Sequence, residues 1–103
     1  MPVIKIARYE IRPEERTKVE RAMREFAAYV GSQLRDSAWV TYREKGNPNR
    51  FVSLITADDE AAEERHRGAD GTKDFAEVLY PRLVGDVEFT DYEIVTSSHR
   101  VAG

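Results

Sequence analysis

A chain of 103 residues with a formal net charge of −3 and 34% charged residues suits one domain with a modest core. Its interleaved signs argue against the broad basic face of a nucleic-acid binder, and its zero cysteines exclude disulfides, thiolate nucleophiles and thiolate metal sites. No apolar run approaches the roughly 18 residues of a membrane helix, and Met1 to Ile6 lacks a signal-peptide pattern, so a cytoplasmic protein is expected.

The first predicted element is a strand over Val3 to Ile11, rich in the strand formers Val3, Ile4, Ile6, Tyr9 and Ile11. Arg12-Pro13 ends it, since Pro13 suits the first turn of a helix. Glu14 and Glu15 follow where the helix dipole favours negative charge. A helix is predicted from Pro13 to about Ser32. Val19, Met23, Phe26, Ala27, Val30 and Leu34 draw one apolar stripe along it. Arg16–Glu20, Glu20–Arg24 and Arg21–Glu25 stand four apart on its other face and read as solvated pairs.

A second strand is predicted over Ala38 to Lys45, a turn at Gly46-Asn47-Pro48-Asn49, and a third strand over Arg50 to Ala57, together a hairpin. Thr56 or Asp58 is expected to cap a short helix reaching about Arg67. Gly68-Ala69-Asp70-Gly71 reads as a break. Thr72 reads as the cap of a third helix carrying Phe75, Val78, Leu79 and Leu83, which Pro81 should end or kink near Tyr80. The last strand is predicted over Val87 to Thr96. Residues 1–96 then make a single domain, and residues 97–103 a loose tail.

The order β-α-β-β-α-α-β is a ferredoxin-like α+β pattern: a four-stranded antiparallel sheet with helices on one face. Such a sheet should alternate apolar and polar residues. These strands are apolar on both faces. Val3, Tyr9 and Ile11 oppose Ile4 and Ile6; Phe51 and Ile55 oppose Val52 and Leu54; Val87, Phe89 and Val95 oppose Tyr92 and Ile94. Helices cover one face only, so the second is expected to meet another sheet or a ligand, and a homodimer through the sheet faces is the expected partner.

The stretch from Phe51 to His66, with its His closing the helix after the third strand, resembles the antibiotic biosynthesis monooxygenase family, and Phe75 to Leu83 fits that family's next helix. The resemblance spans about residues 3–96. It implies a dimeric α+β barrel, two sheets face to face, with a pocket between the sheet and helices of each subunit. It also implies oxidation of phenols or quinols by molecular oxygen without metal or flavin. The sequence departs from the family pattern at Ala57, where an aromatic commonly stands about nine residues before the His. Strand one also lacks the Asn of haem-degrading relatives.

Within that resemblance His66 and Arg43 are the candidate catalytic residues. His66 has an unperturbed pKa near neutrality and would take a phenol's proton, or would simply sit charged at a helix C-terminus. Arg43 would hold an anionic oxygen, or would be a solvated charge at the sheet's edge. Trp39, Tyr42, Tyr9 and Tyr92 are candidate substrate-binding residues, with ordinary packing as the alternative for each. Tyr42 and Arg43 are adjacent on a strand, so one of them must face the helices. Tyr80 could gate a pocket or fix a turn. His99 falls in the tail and is given no role. Neither a phosphate loop nor a metal-ligand set is apparent, so no cofactor and no metal are expected. The expected function is a cofactor-independent monooxygenase acting on a small phenolic, quinol or polycyclic aromatic substrate. The alternatives are a non-catalytic dimeric protein binding a small apolar ligand and, last, a haem-binding or haem-degrading protein.

Overall fold

The computed structural model describes residues 1–98, and these follow the predicted order of elements. Strands β1 (Val3–Glu10), β2 (Ser37–Arg43), β3 (Arg50–Ala57) and β4 (Glu88–Tyr92) form one antiparallel sheet in the order β2-β3-β1-β4. Helices α1 (Arg16–Gln33), α2 (Glu60–Gly68) and α3 (Asp70–Leu79) cover one face. This is the ferredoxin-like α+β fold.

The apolar stripe of α1 explains how it seats. Val19, Met23, Phe26, Val30 and Leu34 are all buried, whereas Ala27 lies just outside the stripe and is exposed. Under α1 the sheet presents its odd-numbered β1 and β3 residues, with Ala7, Tyr9, Phe51 and Ala57 buried. The even-numbered residues form the outer face. Its central row runs Thr90, Ile6, Leu54, Val40 across all four strands, flanked by Tyr92–Ile4 on one side and Arg8–Val52–Tyr42 on the other. Val40, Tyr42 and Tyr92 are exposed there.

Several boundaries differ from expectation, each for a local reason. The chain enters α1 through a 3-10 turn at Pro13–Glu15. Helix α2 is capped by Asp59, not by Thr56 or Asp58: the Asp59 carboxylate accepts the Ala62 N–H at 2.8 Å. Helix α3 starts at Asp70, so the break is narrower than four residues and Thr72 lies inside the helix. Leu83 is past α3, in a bridge to Ile11. Strand β4 stops at Tyr92, opposite Ile4, short of the predicted Thr96; continued in the same register, Glu93 would face Val3, the first residue of β1, and Ile94 would face Pro2, which has no N–H to give. The predicted tail lies largely beyond the described residues, and His99 falls outside them.

Gly71 belongs to packing, not to a break. A Cβ there would stand 2.4 Å from Tyr29 Cδ1, so its absence lets α3 close on α1. Gly71→Ala gains at most about 1 kcal/mol of helix propensity, whereas overpacking typically costs about 1–3 kcal/mol. Urea unfolding is therefore expected to show a net loss for Gly71→Ala. In a Tyr29→Ala background the same change should turn neutral or stabilising.

Candidate active site

A cavity of about 450 Å³ lies between the helix-covered face of the sheet and the three helices. Its walls are largely apolar and carry a cluster of aromatic rings. Phe26 of α1 and Phe75 of α3 stack with centroids 5.0 Å apart, and Trp39 of β2 meets both edge-on, at 4.9 and 5.4 Å. These rings meet because α1 packs both against α3 and on β2. Trp39 is the chain's only tryptophan, so it brings the cavity an indole that Ala57, a small buried residue at the end of β3, does not.

His66 lines this cavity from α2 and is 6% exposed. It stands four residues after buried Ala62, on the helix face that meets the sheet. Its ring lies edge-on to Phe26 at 5.6 Å, and its Nδ1 is 3.1 Å from Ser37 Oγ. Burial pushes its pKa below the ordinary value, helped by Lys5 and opposed by Glu63, so the ring is neutral at neutral pH. The unfolded chain takes up this proton first. The stability His66 contributes is thus present above pH about 6.5 and lost as pH falls through the lower folded value. Urea unfolding between about pH 7.5 and 5 should show a larger acid loss for the wild type than for His66→Gln; equal losses would place the ring in water.

Two further polar groups reach the cavity. On its floor, Tyr9 Oη lies 2.7 Å from Ser53 Oγ, which lies 2.7 Å from Thr41 Oγ1. Burial raises the Tyr9 pKa, so the phenol keeps its proton. On its rim, Glu63 Oε1 accepts from Lys5 Nζ at 3.2 Å and from Arg67 at 2.9 Å, while Glu63 Oε2 is buried without a hydrogen-bond partner. Lys73 lines the same cavity with no ion-pair partner among the described residues. Cationic side chains thus outnumber the one lining carboxylate.

Of the six candidate residues, His66, Trp39 and Tyr9 line the cavity. The other three do not. Arg43 does face the helix side, but at the far end of β2, where it pairs with Glu20 at 2.5 Å and lies over the Phe51 ring at 5.5 Å. Tyr42 and Tyr92 are on the outer face. Tyr80 lines the cavity from an exposed 3-10 turn. Lys5 and Lys73 escaped the sequence reading, and Glu63 was given no place in the substrate site, although two of the three had a signal. Lys5 shares the parity of Tyr9 on β1, and Glu63 stands three residues before His66 on α2. Among the described residues no three acidic or histidine side chains cluster as a metal site, and no helix is long and apolar enough to cross a membrane.

A family model described as antibiotic biosynthesis monooxygenase matches residues 2–78. No curated protein matches the chain. Among solved structures, a Bacteroides thetaiotaomicron protein described as a candidate antibiotic biosynthesis monooxygenase superposes with a TM-score of 0.87 at 19% identity, over 97% of this chain and 95% of that one. Rv0793 from Mycobacterium tuberculosis superposes with a TM-score of 0.85 at 17% identity, over 96% of this chain and all of that one. A Caulobacter crescentus protein with the same description as the first gives 0.85 at 18%, over 92% and 91%. Likeness at such identities speaks for the fold.

Proposed function

Since the chain belongs to the antibiotic biosynthesis monooxygenase family, we propose that its cavity oxidises a small phenolic or quinol aromatic with molecular oxygen, without a bound cofactor. The observation that carries this reading is a buried, neutral histidine facing an aromatic cavity. A flat substrate would lie against Trp39, Phe26 and Phe75. His66 would accept the phenolic proton. The excess of Lys5, Arg67 and Lys73 over Glu63 would favour the resulting phenolate, the task the sequence reading assigned to Arg43. The phenolate then passes one electron to oxygen, and the radical pair joins at a ring carbon bearing hydrogen. The peroxide takes the proton back from His66, and loss of water leaves a quinone. One oxygen atom ends in the product and the other in water, so the substrate supplies all the electrons.

A non-catalytic binding protein would need only the apolar walls. The Tyr9–Ser53 hydroxyls and the Lys5–Glu63 pair favour chemistry instead. Oxygen uptake with a panel of quinols and polycyclic phenols, with no flavin or metal added, tests the reading. With 18O2 one labelled atom is expected in the quinone. Binding without any uptake across the panel would favour the ligand-carrier alternative.

The same reading includes a homodimer, joined through the outer face of the sheet in the cytoplasm. The support is the row Ile6–Leu54–Val40, which no helix covers.

A further inference from the structure

We propose that Ser37 is a positioning residue: it holds the proton of neutral His66 on Nδ1 and leaves Nε2 as the base presented to a ligand. Ser37 opens β2, at the foot of α1. Its Oγ lies 3.1 Å from the Leu34 carbonyl oxygen and 3.1 Å from His66 Nδ1. A carbonyl only accepts, so the single hydroxyl hydrogen is directed to Leu34. The serine oxygen then faces Nδ1 with a lone pair, and that contact is a hydrogen bond only if Nδ1 carries hydrogen.

The opposite tautomer is worse in two ways. Leu34 O already accepts the Ser37 backbone N–H at 3.0 Å, so Ser37 Oγ could turn its hydrogen to an unprotonated Nδ1. One of the two side-chain hydrogen bonds would then be lost. A hydrogen would also appear on Nε2, which faces no protein acceptor among the described residues, whereas the first tautomer gives its hydrogen to a protein partner. The ring cannot turn away cheaply. It is wedged against Phe26, and the His66 carbonyl is held by Thr72 Oγ1, which donates to it from α3 at 2.5 Å. The charged groups about it are Glu63 on its own helix and Lys5 from β1. Which nitrogen bears the proton is thereby written into β2, on a residue that makes no part of the cavity wall.

The inference deepens the oxygenase reading and rests on it for the catalytic consequence alone. The 15N shifts of the His66 ring in the ligand-free chain, at about pH 8 where the ring is neutral, read the tautomer without any substrate. A protonated-type Nδ1 and an unprotonated-type Nε2 are expected. Ser37→Ala should move the two shifts toward each other, and Ser37→Thr should keep the wild-type pattern. On the oxygenase reading, Ser37→Ala should lower kcat about tenfold with KM little changed. A wild-type proton on Nε2, or a tautomer indifferent to Ser37→Ala, overturns the proposal. The expected shifts in a protein that oxidises no phenol would uphold Ser37 and remove the oxygenase.

Discussion

His66→Ala is expected to lower turnover of a phenolic substrate by about ten- to a thousandfold, the range of a positioned general base. The expectation rests on three features already described. The ring is buried, it is neutral at neutral pH, and it lines a cavity whose walls suit a flat aromatic. Because it is buried, truncation to alanine also opens a hole and costs stability. His66→Gln separates the two effects, since it keeps most of the volume while losing the base. Turnover should fall with both variants, and the urea midpoint mainly with alanine. In the wild type, kcat should rise with pH through a pKa below the ordinary histidine value, because the unprotonated ring is the active form. A rate unchanged in both variants would leave His66 a packing residue.

Leu54→Asp is expected to convert a dimer into a folded monomer. Leu54 sits at the centre of the outer face, paired across β3 with Ile6 and Val40. In a dimer built on that face two aspartates would be taken out of water together, at a cost of several kcal/mol for each ion. The fold should survive, because the core lies on the other side of the sheet, among Ala7, Tyr9, Ile11, Val19 and their neighbours. Sedimentation velocity at micromolar concentration is the measurement. The wild type should run at twice the 11.8 kDa chain mass and the variant at once that mass. A wild type that sediments as a monomer, or a variant that stays dimeric, would move the interface elsewhere.

The course of the chain was readable where one physical rule acted alone. The β3 limits follow from a run of strand formers between two turn signals, and the α1 stripe follows from helical period. Reading failed where two rules competed for one residue. Thr56, Asp58 and Asp59 can all cap a helix, and only the path out of β3 selects Asp59. Gly71 can break a helix or admit a neighbour, and only the approach of Tyr29 decides. The site residues divide in the same way. Alternation within β2 says that Tyr42 and Arg43 oppose each other. It does not say which of them shares a face with Tyr9, because that depends on the pairing of β2 with β3 and of β3 with β1. Arg43 won the helix side but stands at the strand's end, beside Glu20. Tyr92 went to the outer face by the same parity.

The three hydroxyls of Tyr9, Ser53 and Thr41 hold a consequence in their hydrogen count. Two contacts link them, and each consumes one hydrogen, yet the three groups carry three. One hydrogen is always left over, and its place depends on the direction in which the row is ordered. If Thr41 gives to Ser53 and Ser53 to Tyr9, the spare hydrogen stands on the phenol at the cavity floor. If the row runs the other way, it stands on Thr41. An oxygen entering above Tyr9 therefore meets a donor or an acceptor according to an ordering that reverses by rotation of three O–H bonds, with no heavy atom displaced. The floor of the cavity can answer a hydroxyl before oxidation and a carbonyl after it with the same three side chains.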